Sequence, residues 1–224
     1  MVSLAPLPVP VAMPRAVVSG TIADLALIFR PEVNLCVVHR RLPRALDGFV
    51  TQLLAGLESL EAELRLGAHE PVPPDRLLPA SAQAMASVEA WLAEVDYLFG
   101  IFRDLFGAKA IGLRLRLLDK AMCPRFHVDN VPVRLVCTYG GLGTEWLPEA
   151  AVNRERLGHR SGGLPDHASG LMLDPDAVRR LPAGAIALLK GEKWPGNQGR
   201  GAVHRSPAPT PERPRRLLLT LDLR

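Results

Sequence analysis

After Gly107 the apolar residues of this 224-residue chain change their period. Before it they recur at three- and four-residue steps. Leu46, Phe49, Val50, Leu53, Leu54, Leu57, Leu60 and Leu64 do so within residues 43–66; Met85, Val88, Trp91, Leu92, Val95, Leu98, Phe99, Phe102 and Leu105 do so within 81–106. Such stripes belong to amphipathic helices that need a surface to bury them. Beyond Gly107, Ile111, Leu113, Leu115 and Leu117 alternate with Gly112, Arg114 and Arg116, the two-residue period of a half-buried strand. Further strands are expected over 33–38, 126–129, 133–139, 144–147, 185–190, 202–205 and 216–223. Short helices are expected after Thr21, through Phe29, and over 177–181, where Asp174-Pro175-Asp176 supplies a start. Helices followed by many short strands with Gly- and Pro-rich connections define an α+β chain whose second half is a sandwich or barrel, with a jelly roll the natural candidate.

The expected organisation is one integrated domain. A Pro-rich tail covers 1–20, a helical region packing on the barrel covers 21–107, and the β-barrel covers 108–224. A chain this long buries enough surface to dispense with disulfides. Its three cysteines, Cys36, Cys123 and Cys137, form no CxxC, which argues against a disulfide framework and a zinc ribbon. No apolar run approaches the ~18 residues of a membrane span. Residues 1–14 carry prolines at 6, 8, 10 and 14 and no basic start, unlike a signal peptide, so a cytoplasmic location is the default expectation. Charge is uneven: residues 1–150 hold 14 basic and 16 acidic side chains, residues 151–224 hold 13 and 7. The basic last third favours a small-molecule or anionic substrate. Its dispersed arginines accompany no nucleic-acid reading motif. Oligomeric state is not legible.

Two short motifs carry chemistry. Phe126-His127-Val128-Asp129 places His127 and Asp129 on one face of an extended segment, and Val203-His204-Arg205-Ser206 follows far downstream. His127, Asp129 and His204 together make a two-histidine, one-carboxylate set. Such a set leaves positions open on a metal and is the arrangement of non-heme Fe(II) oxygenases. The plainer reading is a strand-end His127, an Asp129 capping the turn at Asn130, and a surface His204 after the glycine-rich loop 196–201. Cys123, on the same parity as His127, opens a zinc alternative with a Cys, His, Asp, His set. His159 and His167 fall in an irregular stretch and read as surface loop. Tyr139, Trp146 and Trp194 read as core packing before pocket lining.

The run from Phe126 to Leu135, with Thr138-Tyr139, Gly143-Thr144-Glu145-Trp146-Leu147, Leu189-Lys190-Gly191 and His204-Arg205-Ser206-Pro207, resembles the uncharacterised bacterial family numbered 1826 among domains of unknown function. More distantly, the C-terminal half resembles the Fe(II)/2-oxoglutarate dioxygenases, whose barrel is a double-stranded β-helix of cupin-like form. That resemblance implies Fe(II) on His127, Asp129 and His204, and 2-oxoglutarate as co-substrate. It also implies an Arg or Lys some ten to a dozen residues after the distal His to hold the far carboxylate. Arg215 and Arg216 stand at that place. Strand alternation turns only one of them inward, and Arg216 is favoured. Lys190 and Arg134 compete, because an inward charge in an apolar strand needs a partner.

Overall fold

The computed structural model describes residues 12–224; residues 1–11, most of the expected Pro-rich tail, lie outside the described residues. The chain is a mixed α/β structure built on two sheets. Ten strands run in order: β1 (Arg15–Ser19), β2 (Val33–Val38), β3 (Leu60–Gly67), β4 (Ala110–Leu118), β5 (Val133–Gly140), β6 (Glu145–Trp146), β7 (Arg179–Arg180), β8 (Ile186–Lys190), β9 (His204–Arg205) and β10 (Arg216–Leu223). The large sheet has the order β1-β2-β8-β5-β10-β4-β3 and the small one β7-β6-β9. The helices are α1 (Arg44–Gly56), α2 (Pro74–Leu77), α3 (Ala80–Gln83) and α4 (Val88–Phe106), with a 3-10 helix over Ile22–Phe29. No helix among the described residues is long and apolar enough to cross a membrane.

Strand parity sorts the core. On one face of the large sheet, Leu113, Leu115, Leu135, Cys137, Leu217, Leu219 and Leu221 join Phe49 and Leu53 of α1 and Trp91, Val95, Leu98 and Phe102 of α4 in one buried cluster. Burial on this scale, at roughly 25 cal/mol per Å² of apolar surface, is the main force holding helices to sheet. The alternate residues face the other way. Leu35, Val37, Val136, Ala187, Leu189 and Leu218 form a second cluster with Leu181 and the half-buried Trp146, so the small sheet covers part of this inner face. The positions interleaved with these apolar residues include Arg134, Thr138, Arg216, Thr220 and Asp222, and they carry the site.

Three expected helices and one expected strand are corrected. The stripe over 43–66 ends as a helix at Gly56, where Leu57 turns extended, and Leu60–Gly67 is strand β3. A four-residue step such as Leu60 to Leu64 satisfies both a helical and an alternating period, so spacing cannot separate them. Pairing decides: Glu61 and Glu63 lie opposite Arg116 and Arg114 across β3 and β4, with ion pairs of 2.8 and 3.3 Å, while Leu60, Ala62 and Leu64 point into the core. The helix expected over 81–106 is broken at Ser87, whose φ of 65° is left-handed, leaving α3 and α4. The helix expected over 177–181 is one 3-10 turn, Pro175–Ala177, capped by the Asp174 carboxylate at 2.9 Å from the Asp176 amide, and Arg179–Arg180 goes on as β7. The strand expected over 126–129 is a single antiparallel bridge, His127 to His204.

Candidate metal centre and the adjoining chamber

The bridge joins the two motifs. The His127 amide donates to the His204 carbonyl and the His204 amide to the His127 carbonyl, both at 3.0 Å, so two segments 77 residues apart in number are held side by side. Asp129 then folds back between the two imidazoles. Its Oδ1 lies 3.5 Å from His127 Nε2 and its Oδ2 3.4 Å from His204 Nε2, with the ring centroids 4.5 Å apart. One ligand atom from each of the three lies within 4.8 Å of the other two. Two glycines make the approach possible. A Cβ on Gly191 would stand 2.2 Å from the Val131 carbonyl oxygen and 2.4 Å from that of Asp129; one on Gly201 would stand 2.2 Å from Val128 Cγ1.

The outer hydrogen bonds suit a metal. His127 Nδ1 lies 2.9 Å from the Arg125 carbonyl and His204 Nδ1 lies 3.0 Å from the Ala202 carbonyl. A carbonyl only accepts, so each Nδ1 carries the proton and each Nε2 presents its lone pair towards Asp129 when the ring is neutral. Arg134 donates from Nη1 to Asp129 Oδ2 at 2.8 Å, and is itself gripped by Asp222 through Nε at 2.6 Å and Nη2 at 3.0 Å. Arg114 supports Asp222 at 2.9 Å. Burial would raise the Asp129 carboxyl, but the hydrogen bonds of His127 and His204 and the charge of Arg134 outweigh it and hold it well below the usual carboxylate range. For His127, burial works against the charged form, while Asp129 and the Arg125 carbonyl together raise its pKa above the ordinary histidine value.

Beside the triad is a small chamber lined by His127, His204, Val136, Thr144, Leu218 and Arg216. Arg216 is 5% exposed and has no acidic partner among the described residues. Its Nη2 touches only two hydroxyls, Thr144 at 3.2 Å and Thr138 at 3.4 Å, and its Nε and Nη1 are buried without a hydrogen bond. Burial pushes the guanidinium down to about 10. A buried cation with orphaned N–H groups is costly, and a carboxylate entering the chamber would satisfy it in a bidentate fork. The donor set suits a metal, and the cation beside it suits one anionic group of a ligand entering the chamber.

The other basic candidates face elsewhere. Arg215 points out of the chamber and donates to the Leu54, Leu57 and Glu58 carbonyls at the C-terminal end of α1. Lys190 donates to the Arg30 carbonyl at 2.8 Å and sits 4.8 Å from the Trp194 ring. Arg134 is spent on Asp129 and Asp222. Cys123 is exposed and lines the chamber, but it is outside the convergent three-residue set. Tyr139 is buried against Trp91 and donates to Glu94 at 3.2 Å, while Trp194 packs on Phe29 and Phe106. Sequence reasoning misses Thr138, Thr144 and Asp222. Alternation along β5 and β10 places Thr138 and Asp222 on the inner face, but nothing local marks Thr144.

These features define an α/β protein with a two-sheet scaffold and a His-x-Asp…His cleft at its inner face. The chain belongs to the family described as "Protein of unknown function (DUF1826)", whose model matches residues 19–222. No curated protein matches it. Among solved structures it is similar to a "Putative oxygenase" from Shewanella oneidensis, with 13% identity, 95% of this chain and 90% of that chain covered, and a TM-score of 0.49. It is also similar to a prolyl-4-hydroxylase from Pseudomonas putida, with 14% identity, coverage of 91% and 96%, and a TM-score of 0.42. A third is a "putative 2OG-Fe(II) oxygenase family protein" from Caulobacter crescentus, with 17% identity, coverage of 94% and 86%, and a TM-score of 0.44.

Proposed function

We propose that the protein is an Fe(II)/2-oxoglutarate-dependent oxygenase built on a double-stranded β-helix, or jelly roll, acting on a small-molecule substrate. The observation that carries the reading is Arg216, a buried guanidinium with orphaned N–H groups that lines the same chamber as His127 and His204 of the triad. His127 Nε2, His204 Nε2 and an Asp129 oxygen would hold the metal. When bound, Fe(II) with 2-oxoglutarate supplies oxidative chemistry, coupling decarboxylation of the oxoacid to succinate with transfer of an oxygen atom to a substrate C–H bond.

The remaining work belongs to the chain's own side chains. Arg216, with the Thr138 and Thr144 hydroxyls beside it, anchors the far carboxylate and so fixes which end of the dicarboxylate reaches the triad. Val136 and Leu218 flank its carbon chain and keep water away. Arg134, locked by Asp222, orients Asp129, and the two backbone carbonyls hold the proton of each neutral imidazole on Nδ1, leaving Nε2 to face the metal.

The test loads the protein with Fe(II) without oxygen and measures 2-oxoglutarate binding, then succinate and CO2 release on admitting oxygen. Binding lost in Arg216→Met and turnover lost in His204→Ala are the expected results. Absence of both binding and turnover in the unaltered protein rejects the reading. The zinc alternative lacks a fourth side chain in the convergent set, so stoichiometric zinc indifferent to 2-oxoglutarate is the result that would favour it.

A further inference from the structure

His127 also lines a second, larger cavity of about 480 Å³ that does not include Arg216. That lies within the range of roughly 300–1,000 Å³ typical of small-molecule sites. It is lined by His127 and Val128, by Arg154, Leu157, His159 and Arg160, and by Glu192 with Gly199. His127, a member of the triad, is part of this lining, so a molecule bound there contacts one of the candidate metal-ligating side chains.

The polar groups of the walls are unequal. Arg154 is spent, donating to both Glu149 oxygens at 2.6 and 2.7 Å and to the Gly201 carbonyl at 2.8 Å. Glu192 accepts from the Gly199 amide at 2.8 Å, closing its own turn. Arg160 has no hydrogen bond or ion pair among the described residues, and His159 is exposed next to it. Val128 and Leu157 add apolar surface to the same lining. The lining thus combines exposed basic side chains, apolar surface and one member of the triad.

We infer that this cavity takes the substrate, and that the substrate is an organic acid whose anionic group pairs with Arg160 and His159 while its apolar body lies over Leu157 and Val128. The inference rests on the oxygenase reading for its chemistry, but the binding site stands on its own geometry. A cation at one end sets which carbon of the body is presented beside His127, so Arg160 would act as a specificity-determining residue for the position attacked.

The experiment titrates the full chain, carrying zinc as a diamagnetic stand-in, with octanoate and with octylamine, following the imidazole resonances of His159 and His204. Octanoate is expected to shift His159 saturably, octylamine is not, and Arg160→Gln should weaken octanoate by about tenfold, the loss of one charge-assisted contact. Arg216→Met should leave octanoate affinity in place. Equal binding of octylamine, no saturable binding of octanoate, or loss of octanoate in Arg216→Met but not in Arg160→Gln each overturns the inference. A parallel titration with 2-oxoglutarate, read at His204, reports on the chamber separately. If octanoate behaves as expected and 2-oxoglutarate does not bind, the anion site stands and the oxygenase reading falls.

Discussion

Arg216 and Lys190 are both basic, both in apolar strands and both 5% exposed or less, yet their surroundings give them different work. Lys190 has a carbonyl and an aromatic face, and the alternation of β8 turns it away from the triad. Arg216 has two hydroxyls and otherwise nothing. An uncompensated buried charge is destabilising, and a ligand-binding residue commonly carries that cost. Arg216→Met is therefore expected to stabilise the ligand-free fold by roughly 1–3 kcal/mol in urea unfolding while weakening 2-oxoglutarate binding by at least ~30-fold, the loss of a buried charged pair. A variant that loses both stability and binding would mean that Arg216 is structural. Lys190 gives a pH signature. Burial lowers it from 10.5 to about 8 in the folded chain, so between those values the unfolded chain binds more protons than the folded one. Lys190 should therefore contribute a rise in stability as pH increases from about 8 to 10.5, set against the fall contributed by the buried Cys36 and Cys137 thiols, which burial pushes up to about 12; Lys190→Met should remove that rise relative to the unaltered protein. Stability measured by denaturant across this window checks the sign.

At the scale of elements, the site depends on close passage of backbone more than on any regular strand. His127 is held to β9 by one bridge, and the loop carrying Asp129 lies directly against Gly191. Gly191→Ala would drive a Cβ into two carbonyl oxygens that belong to the backbone and cannot swing aside. It should cost about 1–3 kcal/mol and lower metal affinity by displacing Asp129. Gly48→Ala, in α1 with nothing within 4 Å of the added atom, should have the opposite sign and stabilise by about 0.5–1 kcal/mol. Metal titration of both variants separates a general loss of stability from a local loss of the site. The same scale shows why α1 and β3 merge in the sequence: apolar residues four apart satisfy both periods, and only the Glu61 and Glu63 partners on β4 distinguish them.

For the whole molecule, the triad is a crosslink between the loop before β5 and strand β9, two places joined in the chain only through β5 to β8. A metal bound there in the folded chain alone would stabilise it. At a free concentration of ~100 times the dissociation constant the gain is about 2.7 kcal/mol. For a chain of this size that corresponds to a Tm rise of roughly 5–10 °C. Thermal unfolding with zinc, or with Fe(II) under anaerobic conditions, should show the rise in the unaltered protein and not in His204→Ala. Chelator should reverse it.

Much of this was legible in the chain. Alternation identified strands β4, β5 and β10 and favoured Arg216 over Arg215 as the inward side chain, whereas the strand expected over 126–129 is only the bridge from His127 to His204. The first two are local consequences of a two-residue period, and they survive whatever the strands later pack against. What the tertiary structure decided was convergence. Only the folded molecule brings His204 beside His127, spends Arg134 on Asp129, turns Lys190 and Arg215 to other carbonyls, and leaves Arg216 without an acidic partner among the described residues. It also opens a cavity beside His127 from a stretch, 154–160, that has no period of its own. A side chain's partner is set by distances between strands and loops far apart in sequence, and no local pattern encodes those distances.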